Sequence, residues 1–243
     1  MSKKLRESNR AGRAAAIQQA QVKQGRTRQI LITLAVVAVL AVLVLAGVLL
    51  TGGDSSGPEA KGKVPVKAEG QALVLGDDPA ATRVVVYEDF LCPYCREFEA
   101  ASSELLRERA SSGNAIVEYR PFKLLQDPYT VRALTAWAAV LEGGTPQQAL
   151  KFHDLLFENQ PYENAGEKPG VEELTSWAKE AGVDDQGVLD AFSEPNSAFL
   201  EASTQTARDA GVRGAPTVFV DGKEVPLKSV PEMLRTLEGL LAG

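Results

Sequence analysis

Apolar positions along this chain fall into stretches of different period, and each period predicts a different element. Ile30 to Leu50 is a run of 21 uncharged residues, 19 of them apolar, broken only by Thr33 and Gly47. As a helix rising about 1.5 Å per residue it reaches about 30 Å, the thickness of a hydrocarbon core. A helix apolar on every side belongs in lipid, so residues 30–50 predict one transmembrane signal anchor. A cleaved signal peptide is the alternative; against it, the run exceeds the usual apolar core of about 7–15 residues and no Ala-x-Ala site follows. The next stretch, Thr51 to about Gly70, is rich in Gly, Ser, Pro and Lys without apolar periodicity and reads as a flexible linker. Residues 71–243 remain, enough for one domain with its own core.

Within that domain the periods are short. Arg83-Val84-Val85-Val86-Tyr87 is the β-branched run of a strand buried on both faces. Phe90-Leu91-Cys92-Pro93-Tyr94-Cys95 follows, then helix-forming sequence from Arg96 to Ala110, a Ser-Ser-Gly-Asn turn, and a second strand at Ala115 to Tyr119. Strand, crossover helix and strand make a βαβ unit with the cysteines at the helix start. No strand pattern occurs in the next 85 or so residues. Val131, Leu134, Ala138 and Leu141 form a helical stripe ended by Gly143-Gly144, and Thr145-Pro146-Gln147-Gln148 is a capping box. Further helices are expected at about 171–181, 185–193 and 197–210, with Gly182 and Gly211 closing the first and last. Asp184-Asp185 reads as a helix cap rather than a metal site. The period then returns to two: Thr217 to Val220 and Lys223 to Val225 flank Asp221-Gly222, a hairpin on a type I′ turn, before a final helix from about Pro231 to Leu241. The fold class is therefore α/β, with βαβ and ββα halves around a mixed sheet and a helical insertion at about 126–212.

Charge changes this picture by giving it a direction. The net charge of −6 conceals two regions: residues 1–28 carry eight basic groups against Glu7 alone, a net of +7, and the remaining 215 carry −13. Basic residues before an apolar span and acidic ones after it place a tail, residues 1–29, in the cytoplasm and the larger domain outside. An acidic body repels phosphates, which argues against nucleic acid as a partner. Two cysteines exclude a multi-disulfide scaffold, and with a single His they cannot complete a zinc site within one chain. No metal is expected, and no cofactor other than a redox-active Cys92–Cys95 disulfide.

The spacing of those two cysteines carries the chemistry. A Cys-x-x-Cys at a helix start sets Cys92 among unpaired backbone N–H groups and the positive end of the helix dipole, which favours the thiolate. Cys95, one turn on, can attack a mixed disulfide on Cys92 and release the partner. Pro93 suits the first turn, where its missing N–H costs nothing. A purely stabilising bridge is the bland alternative, but so short a loop stabilises little. Glu88 and Asp89 would raise a nearby thiol pKa and Arg96 would lower it. Gly214-Ala215-Pro216-Thr217 precedes a strand; by pattern alone Pro216 is an ordinary trans residue at a strand start. His153 reads as a structural or surface residue, and Trp137 and Trp177 as core.

The run Val84-Val85-Val86-Tyr87-Glu88-Asp89-Phe90-Leu91-Cys92-Pro93-Tyr94-Cys95-Arg96-Glu97-Phe98 resembles the DsbA-like thiol:disulfide oxidoreductases, as does Ala210 to Gly222. The resemblance covers about residues 71–243. It implies a thioredoxin fold with an inserted helical domain, a catalytic group of Cys92, Pro93, Tyr94, Cys95 and Pro216, and a cis bond before Pro216. It also implies that Gly214 and Ala215 meet the substrate, that exported unfolded or reduced proteins are the clients, and that a membrane partner of the DsbB or vitamin-K-epoxide-reductase-like type reoxidises the pair. Three positions depart from the family. Tyr94 replaces a His that supports the thiolate in strong oxidants. Ala215 stands where Thr or Val is common. Val86 occupies the place of a buried acid, leaving Glu88 and Asp89 as candidate proton acceptors; strand alternation puts Glu88 on the face of Val86 only if the strand extends that far. The expected function is oxidation of exported protein thiols at a cell membrane. Alternatives are a reductase or isomerase kept reduced by its partner, and a membrane-tethered chaperone or binding module.

Overall fold

The computed structural model describes residues 64–79, 81–226 and 228–242. The basic tail, the 30–50 span and most of the linker lie outside the described residues. Among the described residues no helix is long and apolar enough to cross a membrane.

Among the described residues six strands form one sheet in the order β1-β2-β4-β3-β5-β6. They are β1 (Val66–Glu69), β2 (Ala72–Leu75), β3 (Thr82–Glu88), β4 (Ala115–Pro121), β5 (Thr217–Val220) and β6 (Lys223–Val225). Only β3 and β4 run parallel, joined by helix α1 (Pro93–Ser111) as the βαβ unit requires. The hairpin β5–β6 pairs antiparallel with β3 on its other side. Its turn has Asp221 at φ 48° and Gly222 at φ 76°, the two left-handed positions of a type I′ turn.

One boundary is corrected. Val66–Glu69 is an edge strand of the sheet, paired with Ala72–Leu75, rather than the end of a linker reaching Gly70. Only its first residue is partly buried, so no alternation marks it; pairing to the fully buried β2 makes it a strand.

The helical insertion follows β4 as α2 (Pro128–Gly143), α3 (Pro146–Glu158), α4 (Val171–Glu180), α5 (Gln186–Asp190) with a 3₁₀ turn at Ala191–Ser193, and α6 (Ser197–Asp209); α7 (Val230–Leu240) closes the chain. Local chemistry sets their ends. Asp127 accepts from Tyr129 N–H to cap α2, Thr145 and Gln148 form the capping box of α3, and Asp185 caps α5. Gly182 and Gly211 adopt φ of 89° and 79° behind α4 and α6, as helix-terminating glycines do.

Sheet and insertion share one core. Val84 and Val86 of β3, Val117 and Tyr119 of β4 and Phe98 of α1 belong to the same buried cluster as Trp137 of α2 and Phe152 of α3. The insertion is therefore fused to the fold, and α3 lies over the side of the sheet that carries α1.

Candidate active site

The site begins where β3 stops. Beyond Glu88 the chain turns, with Cys92 N–H donating to Asp89 O at 3.0 Å. Cys92 is extended (φ −70°, ψ 119°) as the cap of α1, and Pro93 is the first helical residue. The Cys92 carbonyl accepts from Cys95 N–H at 3.0 Å and Arg96 N–H at 3.2 Å. Both thiols are free. Cys95 is fully buried and Cys92 is 5% exposed, whereas Tyr94 between them is 61% exposed, so the motif sits at the surface with its second sulfur turned inward.

That asymmetry divides the two thiols electrostatically. A hydrogen bond from the Cys95 thiol is the largest influence lowering the Cys92 pKa, to about 7, aided by the N–H groups of Cys95 and Tyr94 against burial and the charge of Asp89. Cys95 moves the other way, well above an ordinary thiol, because of burial and then the neighbouring Cys92 sulfur, with Glu88 adding to the rise. Cys92 is the ionisable nucleophile and Cys95 a protonated reserve. Arg96, expected to assist, instead donates to Gln160 O at 3.3 Å and lies over the Tyr162 ring, and it is not among the main influences on Cys92.

The second sequence motif meets the first through sheet register. Val86 faces Val218 and Tyr87 faces Thr217, which delivers the loop before β5 to the start of α1. The Ala215–Pro216 bond is cis, as the family resemblance implied and as pattern alone did not. The Cys92 thiol donates to Ala215 O at 3.2 Å, and Thr217 Oγ1 donates to Gly214 O at 2.9 Å, holding the loop. Gly214 and Ala215 are half-buried beside the sulfur.

Comparison with known proteins now bears directly on this geometry. The family described as thioredoxin matches residues 68–238, most of the chain and both motifs. The chain belongs to the thioredoxin family. Among solved structures, the MdbA thiol-disulfide oxidoreductase of Corynebacterium diphtheriae is similar at TM-score 0.60 and 25% identity, over 74% of this chain and 96% of that one. Reduced DsbA of Mycobacterium tuberculosis is similar at TM-score 0.59 and 25% identity, over 72% and 94%. BdbD of Bacillus subtilis shares the fold at 22% identity and TM-score 0.59, over 70% and 92%. The thioredoxin-family domain of this chain is thus a thiol-disulfide oxidoreductase domain of the DsbA type, with its Cys-x-x-Cys pair in place. Curated relatives are of another kind: the Na⁺/H⁺ antiporter NhaA 3 of Salinispora tropica is 30% identical over 151 residues. This covers 62% of the present chain, which spans only 22% of that relative's length.

Around the thioredoxin-family pair, the structure separates the two candidate acids. Asp89 is saturated: Oδ1 accepts from Leu91 N–H at 2.9 Å and Thr130 Oγ1 at 3.1 Å, and Oδ2 from Leu124 and Leu125 N–H, each at 2.9 Å. Burial raises its pKa while these four bonds oppose the rise. It ties the turn before Cys92 to the chain entering α2, and its own N–H lies 3.5 Å from Cys95 Sγ. Glu88 ends β3 on the face of Val84 and Val86, so the strand does extend far enough to place a carboxylate under α1. Glu88 is fully buried, and its Oε1 lies 2.5 Å from His153 Nε2.

His153 is a core residue rather than a surface one, 0% exposed on α3. Its ring lies among Phe90, Tyr119, Trp137 and Phe157, at centroid distances of 5.9, 4.6, 5.6 and 5.1 Å. Trp137 is core, as its stripe predicted. Sequence reasoning missed Gln160, whose Nε2 donates to Cys92 O at 3.1 Å, and Thr130 on Asp89. Neither carries a local signal, since each reaches the site only through the path of the insertion.

Proposed function

We propose that this protein is an extracytoplasmic, membrane-anchored thiol:disulfide oxidoreductase that oxidises thiols of exported proteins. The observation that carries the reading is the division between Cys92, ionising at about 7 beside the Ala215 carbonyl, and Cys95, buried and protonated. A substrate thiolate attacks Cys92 Sγ of the disulfide, and Cys95 leaves with the electron pair and takes up a proton. A second substrate thiolate then attacks the substrate sulfur of the mixed disulfide and expels the Cys92 thiolate. Two electrons and two protons leave the client, and a membrane partner of the DsbB or vitamin-K-epoxide-reductase-like type removes the electrons to restore the disulfide. Half-exposed Gly214 and Ala215 offer backbone that an extended client can pair with as an added strand. Glu88 is the proton acceptor of Cys95, and Asp89 positions the motif.

The direction rests on stabilisation of the reduced form through its thiolate, which makes the disulfide the less stable state. A pKa of about 7 is milder than the value of about 3.5 in a strong oxidant and matches thioredoxin, which favours as a second reading a reductase or isomerase kept reduced. Two measurements on the full-length protein separate these readings. Cys92→Ser abolishes catalysed oxidative refolding of a reduced substrate; undiminished refolding overturns the enzyme and leaves a tethered binding module. Equilibration with glutathione gives a potential clearly above about −270 mV for the oxidant, and a value near it for the reductase.

A further inference from the structure

Beneath the cysteine pair Glu88 meets two ionisable groups of the insertion, His153 and Asp154, to which the exchange steps above assign no part. Glu88 closes β3, close enough to Cys95 to influence its ionisation. His153 Nε2 lies 2.5 Å from Glu88 Oε1, and His153 Nδ1 lies 3.6 Å from Asp154 Oδ1. Asp154 pairs with Arg107 of α1, and both line a cleft of about 430 Å³ between α1 and α3, together with Arg96, Glu99, Phe157 and Glu158. Side-chain burial falls along this series from Glu88 and His153, at 0% exposure, to Asp154 at 19%. Other charged or titratable groups facing it are Glu99 from α1 and Tyr119 from β4.

We propose that His153 and Asp154 form a proton conduit between Glu88 and the α1–α3 cleft, so that the Cys95 proton exchanges with solvent away from the loop that receives substrate. The inference rests on the oxidoreductase reading above and adds to it a positioning role for the insertion. When Cys95 resolves a mixed disulfide, its S–H proton passes to Glu88. The Cys95 sulfur then attacks Cys92 Sγ with its electron pair, and the client leaves as thiolate. As Glu88 takes up that proton it no longer holds His153 as an imidazolium, and His153 releases its Nδ1 proton through Asp154 to the cleft. In the opposite direction, Cys95 leaving as thiolate draws a proton inward by the same steps. The surroundings suit a ring that is charged at rest. Burial opposes protonation of His153, but Glu88 and Asp154 outweigh it and hold its pKa up to about 10. Four aromatic rings surround the imidazolium.

The test is single-turnover release of a thiol reporter peptide from a mixed disulfide on Cys92 in the full-length protein, followed from about pH 5 to about pH 9. Internal proton transfer keeps the wild-type rate weakly dependent on pH. His153→Gln slows release about 100-fold near neutrality. Its rate then climbs about tenfold per pH unit, because buried Glu88 without the imidazolium beside it stays protonated and hydroxide must take the thiol proton directly. Asp154→Asn, at the cleft, slows release on the order of tenfold with the same steepening, and it decides the matter if the buried variant does not fold. A loss of packing alone would lower the rate equally at every pH. A pH dependence parallel to wild type in the folded variants overturns the conduit, whereas failure of wild-type protein to exchange disulfides overturns the oxidoreductase reading beneath it.

Discussion

Cys95→Ala isolates the strongest influence on the nucleophile, the hydrogen bond its thiol gives to the Cys92 sulfur. A hydrogen bond to an ionised partner contributes about 1.5–3 kcal/mol, and one pKa unit corresponds to about 1.4 kcal/mol. Losing it raises Cys92 from about 7 to about 8–9, leaving the N–H groups of Cys95 and Tyr94 to oppose burial and Asp89. Near neutrality the thiolate fraction drops from about one half to about 1–10%. Each thiolate becomes more nucleophilic as its pKa rises, by about 3–8-fold at a Brønsted slope of about 0.45. The net expectation is exchange about 2–6-fold slower than wild type near neutrality and about 3–8-fold faster once both are ionised, so the two pH profiles cross. The assay is the initial attack of the reduced protein on a chromogenic aromatic disulfide across pH. Because the folded pKa is depressed, the wild-type rate rises with pH through a midpoint near 7. A Cys95→Ala profile with the wild-type midpoint, or one scaled down without crossing, refutes the assignment of the thiol hydrogen bond as the main cause.

Two further outcomes follow from buried carboxyls. Asp89→Ala leaves the N–H groups of Leu91, Leu124 and Leu125 without their acceptor and lowers unfolding free energy by about 3–5 kcal/mol; denaturant titration showing a loss under about 1 kcal/mol counts against its structural role. Glu99 is raised to about 8, by burial first and then the charge of Glu88, so between about pH 4.5 and 8 the folded carboxyl holds a proton that the unfolded one has lost. This makes stability fall as pH rises through that window. Glu99→Gln flattens the fall in melting temperature, and an unchanged slope shows that Glu99 is not its source.

The legible parts of this fold are those governed by contacts a few residues apart. The Thr145–Gln148 capping box, Gly182 and Gly211 behind their helices, and the Asp221-Gly222 turn all lie where pattern places them, because a cap or turn is satisfied by its own neighbours. The strand Val66–Glu69 was hidden because an exposed edge strand carries no alternation of its own. Among the acids, alternation supplied the condition for Glu88, and the length of β3 met it. His153 was visible as the only histidine, but its surroundings were not, since spacing on α3 says nothing of the strand packed beneath.

The sequence by itself determined a Cys-x-x-Cys at the start of a helix, the thioredoxin-like order of elements around it, and a redox pair with no third thiol to divert it. Tertiary structure decided what surrounds the sulfurs. Ala215 O reaches Cys92 across 123 residues, Gln160 reaches it across 68, and His153 reaches Glu88 across 65. Helix periodicity and capping act over a few residues, whereas these contacts depend on sheet register and on how the insertion packs, which local pattern does not encode. The chemistry was therefore readable from the chain, while its tuning and its route for protons belong to the fold.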